Sequence, residues 1–342
     1  MTLRMPRAAL AALTLTVTLT ACTSVAYTET PVPTPGMSAA GPPTGVATAA
    51  PSTPAPASQC SPAPAGFQAT QSYAPLAALP ATAQLTGRLG EIRDRGYLIA
   101  GVSADTLLLG ARNPLTGQIE GFDIDVVREI ARAIFNDPNR VQLVVINAAG
   151  RQSALTNRTV DVVARNMTMT CARWLDWPIA FSAEYYRSGQ KVLVRKGQED
   201  ATKSLADLAK AKARVCAPAG TTSMTKLREF EAQGIVPVEA DTHTGCLVRF
   251  QQGSVAAITG DDTVLAGLVA QDPYGVVPPQ DAVTAEPYGL GFNAADKVFV
   301  QYVNRVLETV KADGRWTAIY NRWLAASLGP APSPPPAAYG RA

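Results

Sequence analysis

Arg173 and Asp261 are side chains of opposite charge that could serve, respectively, an anion and a cation. A guanidinium offers a carboxylate a planar, bidentate fork. Asp261, at the end of a β-branched run and beside the start of an apolar helical stretch, can receive an ammonium. Thr221 and Thr222 open a helix, so their backbone N–H groups form an anion site. An anion clamp, a cation acceptor and a pocket for a side chain are together what a free amino acid needs. Taken singly, each charged residue could equally belong to a surface ion pair.

The cysteines carry a second chemistry. Residues 1–21 hold Arg4 and Arg7, an apolar run over residues 8–19, and Leu19-Thr20-Ala21 directly before Cys22. These are the three regions of a signal peptide, with an apolar core too short to span a bilayer comfortably. The Leu-Thr-Ala-Cys sequence resembles the bacterial lipobox, which implies diacylation of Cys22 and anchoring by acyl chains, with burial worth about 0.8 kcal/mol per CH₂. Four cysteines follow, Cys60, Cys171, Cys216 and Cys246, without CxxC spacing and with a single histidine in the chain. In an exported protein this pattern reads as disulfides rather than a zinc site. No metal or cofactor is expected. The net charge of +3 falls to +1 once Arg4 and Arg7 leave with the signal, which argues against a nucleic-acid partner.

The elements that must position these residues come in a regular series. Residues 22–80 are rich in Ala, Pro, Thr, Ser and Gly, too poor in large aliphatics to form a core, and read as a disordered tether. Residues 23–59 would span about 35 Å as a flexible coil and up to roughly 115 Å as polyproline II. Residues 329–342 read as a second disordered stretch. Between them, strand and helix patterns alternate: strands over 97–102, 141–146 and 160–164, and again over 214–217, 235–239 and 255–259, with helices between. Ile124, Val127, Ile130, Ala131 and Ile134 form one apolar stripe, with Asp123 as its expected cap. Such alternation implies an α/β fold with parallel sheets and helices on both faces. A first lobe is expected over residues 81–189 and 289–328 and a second over 190–288, with crossings near Gly189 and Tyr288 forming a hinge.

Several segments resemble one family. Gly121-Phe122-Asp123-Ile124-Asp125-Val126 before a helix, Thr168-Met169-Thr170 followed by Arg173, Phe181-Ser182 with Tyr185-Tyr186 and Gly189-Gln190, Gly220-Thr221-Thr222-Ser223, and Asp261-Asp262 after a strand occur in the order found in polar amino-acid-binding proteins of ABC importers. The likeness covers nearly all of residues 98–324. With the lipobox and the proline-rich leader, the chain is most similar to actinobacterial glutamate/glutamine-binding lipoproteins. The resemblance implies a two-lobe, type II periplasmic-binding-protein fold with the ligand cleft between the lobes. By it, Arg173 takes the ligand α-carboxylate with the Thr168 hydroxyl as a further donor, and Asp261 takes the α-ammonium with the Asn166 carbonyl.

Selectivity rests on two further positions. Acidic-amino-acid binders of this family place an arginine where Arg151 stands, against the ligand's side-chain carboxylate, and can carry a histidine where His243 stands. Both positions also suit purely structural residues at helix starts. The aromatic that often stacks on the ligand is missing from Ser103-Ala104-Asp105-Thr106-Leu107, with Asp105 as its expected substitute, and Asn166 replaces a common glycine. Aspartate, glutamate, asparagine or glutamine is the expected ligand. Met167 and Met169 are expected inside the core, and Trp174, Trp177, Trp316 and Trp323 as packing residues.

The expected protein is a monomer outside the cytoplasm, tied to the membrane by Cys22 and working with an ABC permease. Two alternatives use the same fold: an amino-acid sensor signalling through a membrane protein, and a periplasmic dehydratase-like enzyme, for which only Asp105 and Asp262 remain as spare carboxyl groups. Cys216 is expected to pair with Cys246, tying a strand end to a helix, and Cys60 with Cys171, stapling the tether to the first lobe.

Overall fold

A computed structural model describes residues 58–342; the signal expected over residues 1–21, Cys22 and the tether as far as residue 57 lie outside the described residues. The first sheet has the order Val141–Val145, Leu98–Val102, Val162–Ala164, Gly291–Asn293, Ile179–Phe181. Its first three strands are parallel, each apolar run feeding a helix that returns over the sheet. The helix Phe122–Phe135 buries Ile124, Val127, Ile130, Ala131 and Ile134 against it. That helix starts at Gly121, whose φ of 144° and close approach to the Leu109 carbonyl leave no room for a Cβ.

The second sheet has the order Val236–Ala240, Arg214–Pro218, Ala257–Asp261, Tyr186–Arg195, Gly275–Val276, with Ala285–Tyr288 also on Tyr186–Arg195. Here the parallel arrangement implied by the alternation holds for the alternating strands but not for the crossing ones. Arg214–Pro218 is parallel to both its neighbours, but Tyr186–Arg195 runs antiparallel to Ala257–Asp261. A strand that carries the chain across from the other lobe enters this sheet from the opposite end. The return crossing, Ala285–Tyr288, pairs antiparallel with it, Gly189 facing Ala285 and Tyr186 facing Tyr288. In the first sheet Gly291–Asn293 arrives the same way, antiparallel to both neighbours.

The two stretches read as disordered are, where described, structured. Gln71–Tyr73 pairs in parallel with Ala338–Arg341. Between them and the first lobe, the buried Ser72 donates to the Phe181 carbonyl at 2.7 Å and accepts from Asn304 Nδ2 at 2.9 Å. Trp174 Nε1 donates to the Ala69 carbonyl at 2.8 Å, and the Arg341 guanidinium lies 3.7 Å over the Trp174 ring. A disulfide joins Cys60 to Cys171 and another joins Cys216 to Cys246. Composition misjudged these segments because a few anchors, rather than an aliphatic core, fasten them. Met167 and Met169 are core residues. Among the described residues, no helix is long and apolar enough to cross a membrane.

Candidate functional site

Arg151 begins the short helix Arg151–Thr156 and is almost wholly buried. Its Nε donates to the Ala148 carbonyl at 2.8 Å, Nη1 to the carbonyls of Arg165 and Asn166 at 3.3 and 3.5 Å, and Nη2 to the Gly220 carbonyl at 2.9 Å. Arg173 lies in the helix Cys171–Leu175, capped by the Thr170 hydroxyl, which accepts from the Arg173 N–H at 3.2 Å. Its Nη1 donates to the Thr168 carbonyl at 2.7 Å and its Nη2 to the Gly220 carbonyl at 3.2 Å. Trp177, expected only to pack, lies 5.5 Å beneath this guanidinium. Both arginines thus reach from the first lobe to one carbonyl on the second. Gly220 permits that approach: its φ is 71°, and a Cβ there would stand 2.8 Å from Ala149 Cα.

Neither guanidinium makes a salt bridge within 4 Å among the described residues. Burial, followed by the charges of Arg173 and Arg165, lowers the Arg151 pKa well below its ordinary value. Burial also pulls Arg173 down to about 10, against the pull of Glu286 and Asp261. A buried cation supported by neutral carbonyls and flanked by like charge is a site where an incoming anion is favoured.

Asp261 ends the strand Ala257–Asp261 and stands at the start of the helix Asp262–Gln271. It is buried and accepts from the Tyr288 hydroxyl at 2.5 Å. Burial, then the nearby Glu286 carboxylate, pushes it up to about 7. Asn166 adopts φ 36°, and its backbone N–H donates to Asp123 Oδ2 at 2.9 Å. Asp123 therefore does not cap its helix; it anchors the Asn166 turn and accepts from the Tyr185 hydroxyl at 2.8 Å. The Thr221 hydroxyl is occupied as a helix cap, accepting from the Met224 N–H at 3.1 Å. His243 opens the helix His243–Gln251, buried and with Nε2 lacking a hydrogen-bond partner. Burial first, then Arg165, depresses its pKa to about 4, so it is neutral at pH 7.

These residues meet. Arg151, Asn166, Thr168, Arg173, Thr221, Thr222, His243 and Asp261 line one tight cavity of about 10 Å³, together with Ser223. It shares Thr168, Arg173, Thr221 and Thr222 with a wider outer pocket of about 460 Å³ that adds Trp177, Lys226, Glu229 and Glu286. Asp105 is not among the residues that line this cavity: it sits in a two-residue strand and accepts from the Ser103 hydroxyl at 2.9 Å. A small three-stranded sheet formed by Asp105–Thr106, Gly110–Arg112 and Ile119–Glu120 keeps it there. Sequence reasoning missed Glu286, a buried carboxylate that accepts from the hydroxyls of Thr168 at 2.6 Å and Thr222 at 2.7 Å. A carboxylate on a strand that crosses between lobes was the available signal.

Residues 98–326 match the model of the bacterial extracellular solute-binding proteins, family 3. The chain belongs to this family. Like other family 3 solute-binding proteins it has two lobes, and the family is one of binding proteins rather than enzymes, so the dehydratase alternative is set aside. An ABC transporter glutamine-binding protein, GlnH of Bacillus subtilis, is 31% identical over 69% of this chain and 84% of its own length. The glutamate-binding protein GluB of Corynebacterium efficiens is 28% identical over 69% of this chain and 80% of its own. Among solved structures, a mutant of the T. maritima arginine-binding protein ArgBP superposes with a TM-score of 0.63 at 28% identity, covering 69% of this chain and 99% of that one. An ancestral arginine-binding protein bound to glutamine gives a TM-score of 0.61 at 29% identity, covering 67% and 98%.

Proposed function

We propose that this chain is a lipid-anchored receptor outside the cytoplasm that closes its two lobes on aspartate, glutamate, asparagine or glutamine and delivers it to an ABC permease. The observation that carries this reading is the meeting of Arg173, Arg151 and Asp261 around one buried cavity. Arg173 has five N–H donors and spends two on carbonyls, so a fork remains for the ligand α-carboxylate. Asp261 with the Asn166 carbonyl receives the α-ammonium. Arg151, with Arg165 and Arg173 adding positive potential, faces the polar end of the ligand side chain. The names of the glutamine- and glutamate-binding relatives support the same ligand class.

The cavity has room for about one water molecule. The walls therefore part to admit an amino acid and close again on it. A lysine or arginine side chain directed at Arg151 would meet like charge in a dry site, at a cost of several kcal/mol. Calorimetry on the mature, soluble protein tests the proposal: at least one of the four amino acids binds, with acids binding at least as well as amides, and lysine does not. Micromolar lysine binding, or binding of none of the four, defeats it. Metabolic labelling with palmitate, lost on Cys22→Ala, tests the anchor separately.

A further inference from the structure

Glu286 is nine-tenths buried on the strand Ala285–Tyr288, which carries the chain back from the second lobe to the first. Its Oε2 accepts from Thr168 of the first lobe at 2.6 Å and from Thr222 of the second at 2.7 Å, and its Oε1 accepts from Thr284 at 2.5 Å. One carboxylate oxygen thus joins the two walls of the cleft. The threonine oxygens are themselves 3.5 Å apart, and both residues line the inner cavity.

A threonine hydroxyl has one proton and two lone pairs, and can ordinarily turn to meet either a donor or an acceptor. A carboxylate can only accept. With both protons directed at Oε2, the two hydroxyls have only lone pairs left for anything else in the cavity. We propose that Glu286 is a specificity-determining positioning residue: by taking the hydroxyl protons of Thr168 and Thr222 it makes their cavity-facing sides acceptors, which select a ligand ammonium and turn a carboxylate away toward Arg173. The proposal rests on the amino-acid reading above and assigns Thr168 an accepting role instead of the donating one expected from the sequence. Because Thr168 and Thr222 stand on opposite walls, the acceptor pair exists only when the cleft is closed.

The charges around the pair agree with this polarity. Asp261 and Glu286 are close enough that the charge of Glu286 raises Asp261, while Arg173 is drawn the other way by both carboxylates. A zwitterion satisfies both ends of this arrangement, whereas a ligand without an ammonium leaves the accepting wall unpaired.

Competition calorimetry with l-aspartate against succinate and l-glutamate against glutarate tests the proposal, since each pair differs only in the ammonium. Glu286→Leu removes both accepting oxygens at nearly constant shape, so the Thr168 and Thr222 hydroxyls are free to turn their protons inward. The preference for amino acid over deaminated analogue should fall by about tenfold or more, as expected when a buried polar pairing is lost. A merely structural role would weaken both ligands alike. Thr168→Val, which removes the accepting oxygen at nearly constant shape, should weaken the amino acid and spare the analogue. It decides the matter if Glu286→Leu fails to fold or to bind. Wild-type protein that binds none of the amino acids defeats the underlying reading, and the inference with it. Wild-type binding with the preference kept within about threefold in the variants overturns the inference alone.

Discussion

The Tyr288 hydroxyl donates to Asp261 Oδ2 at 2.5 Å, joining the strand that crosses between the lobes to the end of a strand in the second sheet. Both residues are buried, and the bond is one of few that favour the charged form of Asp261. It does not outweigh burial and the repulsion of Glu286, which leave the carboxyl pushed up to about 7.

A pH dependence of binding follows. An ammonium binds the charged form of Asp261, so below about pH 7 the ligand must displace a proton from it. Affinity should fall as pH drops from 8 to 6, and calorimetry in buffers of different ionisation enthalpy should show proton release near neutrality. The folding linkage has its own sign. The folded state keeps the Asp261 proton that the unfolded chain loses near pH 4, so the stability this group contributes declines as pH rises from about 4 to about 7. Asp123, raised to about 6, adds to that decline, whereas His243, depressed to about 4, costs stability as pH falls below about 6.5. The difference between Asp261→Asn and wild-type denaturation curves isolates the Asp261 share. It should favour the variant increasingly from pH 4 to 7, and a flat difference would show that Asp261 is not held protonated.

Arg173→Ala and Asp261→Ala should each abolish useful affinity without unfolding the protein. Truncating one partner of a desolvated, hydrogen-bonded charge pair costs about 2 to 5 kcal/mol, a loss of roughly 30-fold to several thousand-fold. Arg173→Lys should recover only part, since an ammonium cannot replace the fork or stack on Trp177 in the same way. Calorimetry measures the loss and circular dichroism checks the fold. A folded alanine variant binding within about threefold of wild type removes that residue from the site.

The residues that line the cavity were legible mainly because they fall in the segments that resemble one family, and the element boundaries found there agree. Arg173 follows a capping threonine, Asp261 ends a strand, and Thr221 caps a helix. Glu286 was not legible, because its partners lie 118 and 64 residues away and meet it only through the crossing topology. The position of Asp105 was not legible either: a local hairpin, too short to show in any periodicity, pairs it with Ala111. The parallel pairing was legible only in part. Alternating strands and helices predict parallel neighbours within one lobe, but say nothing of the strands that bring the chain across.

The Cys216–Cys246 bridge closes a loop of 30 residues between a central strand and the helix bearing His243. Chain entropy gives it a worth of about 4 kcal/mol. The Cys216→Ala, Cys246→Ala pair should lower stability to denaturant by an amount of that order. Because the bridge packs in the core of the second lobe, the melting of that lobe should move first. A change below about 1 kcal/mol would mean that packing alone fixes the helix against the sheet.

The C-terminal strand offers a test of how the two ends of the described chain depend on one another. Ala338–Arg341 is the only strand that pairs with Gln71–Tyr73 among the described residues. Arg341 also donates to the carbonyls of Gln71 at 2.7 Å and Gln68 at 3.0 Å while its guanidinium lies over Trp174 and Phe67. Deleting residues 330–342 should therefore loosen residues 61–73 between the Cys60–Cys171 bridge and the first lobe. Limited proteolysis should cut there in the truncated protein and not in the full chain. The stacking contacts are worth about 0.5 to 2 kcal/mol, and Arg341→Ala should reproduce part of the effect. Ligand affinity should stay within about threefold, because neither strand lines the cavity and Arg173 keeps its carbonyls on Thr168 and Gly220. Loss of affinity on truncation would instead mean that the docked ends brace the Arg173 helix, to which Cys171 and Trp174 both belong.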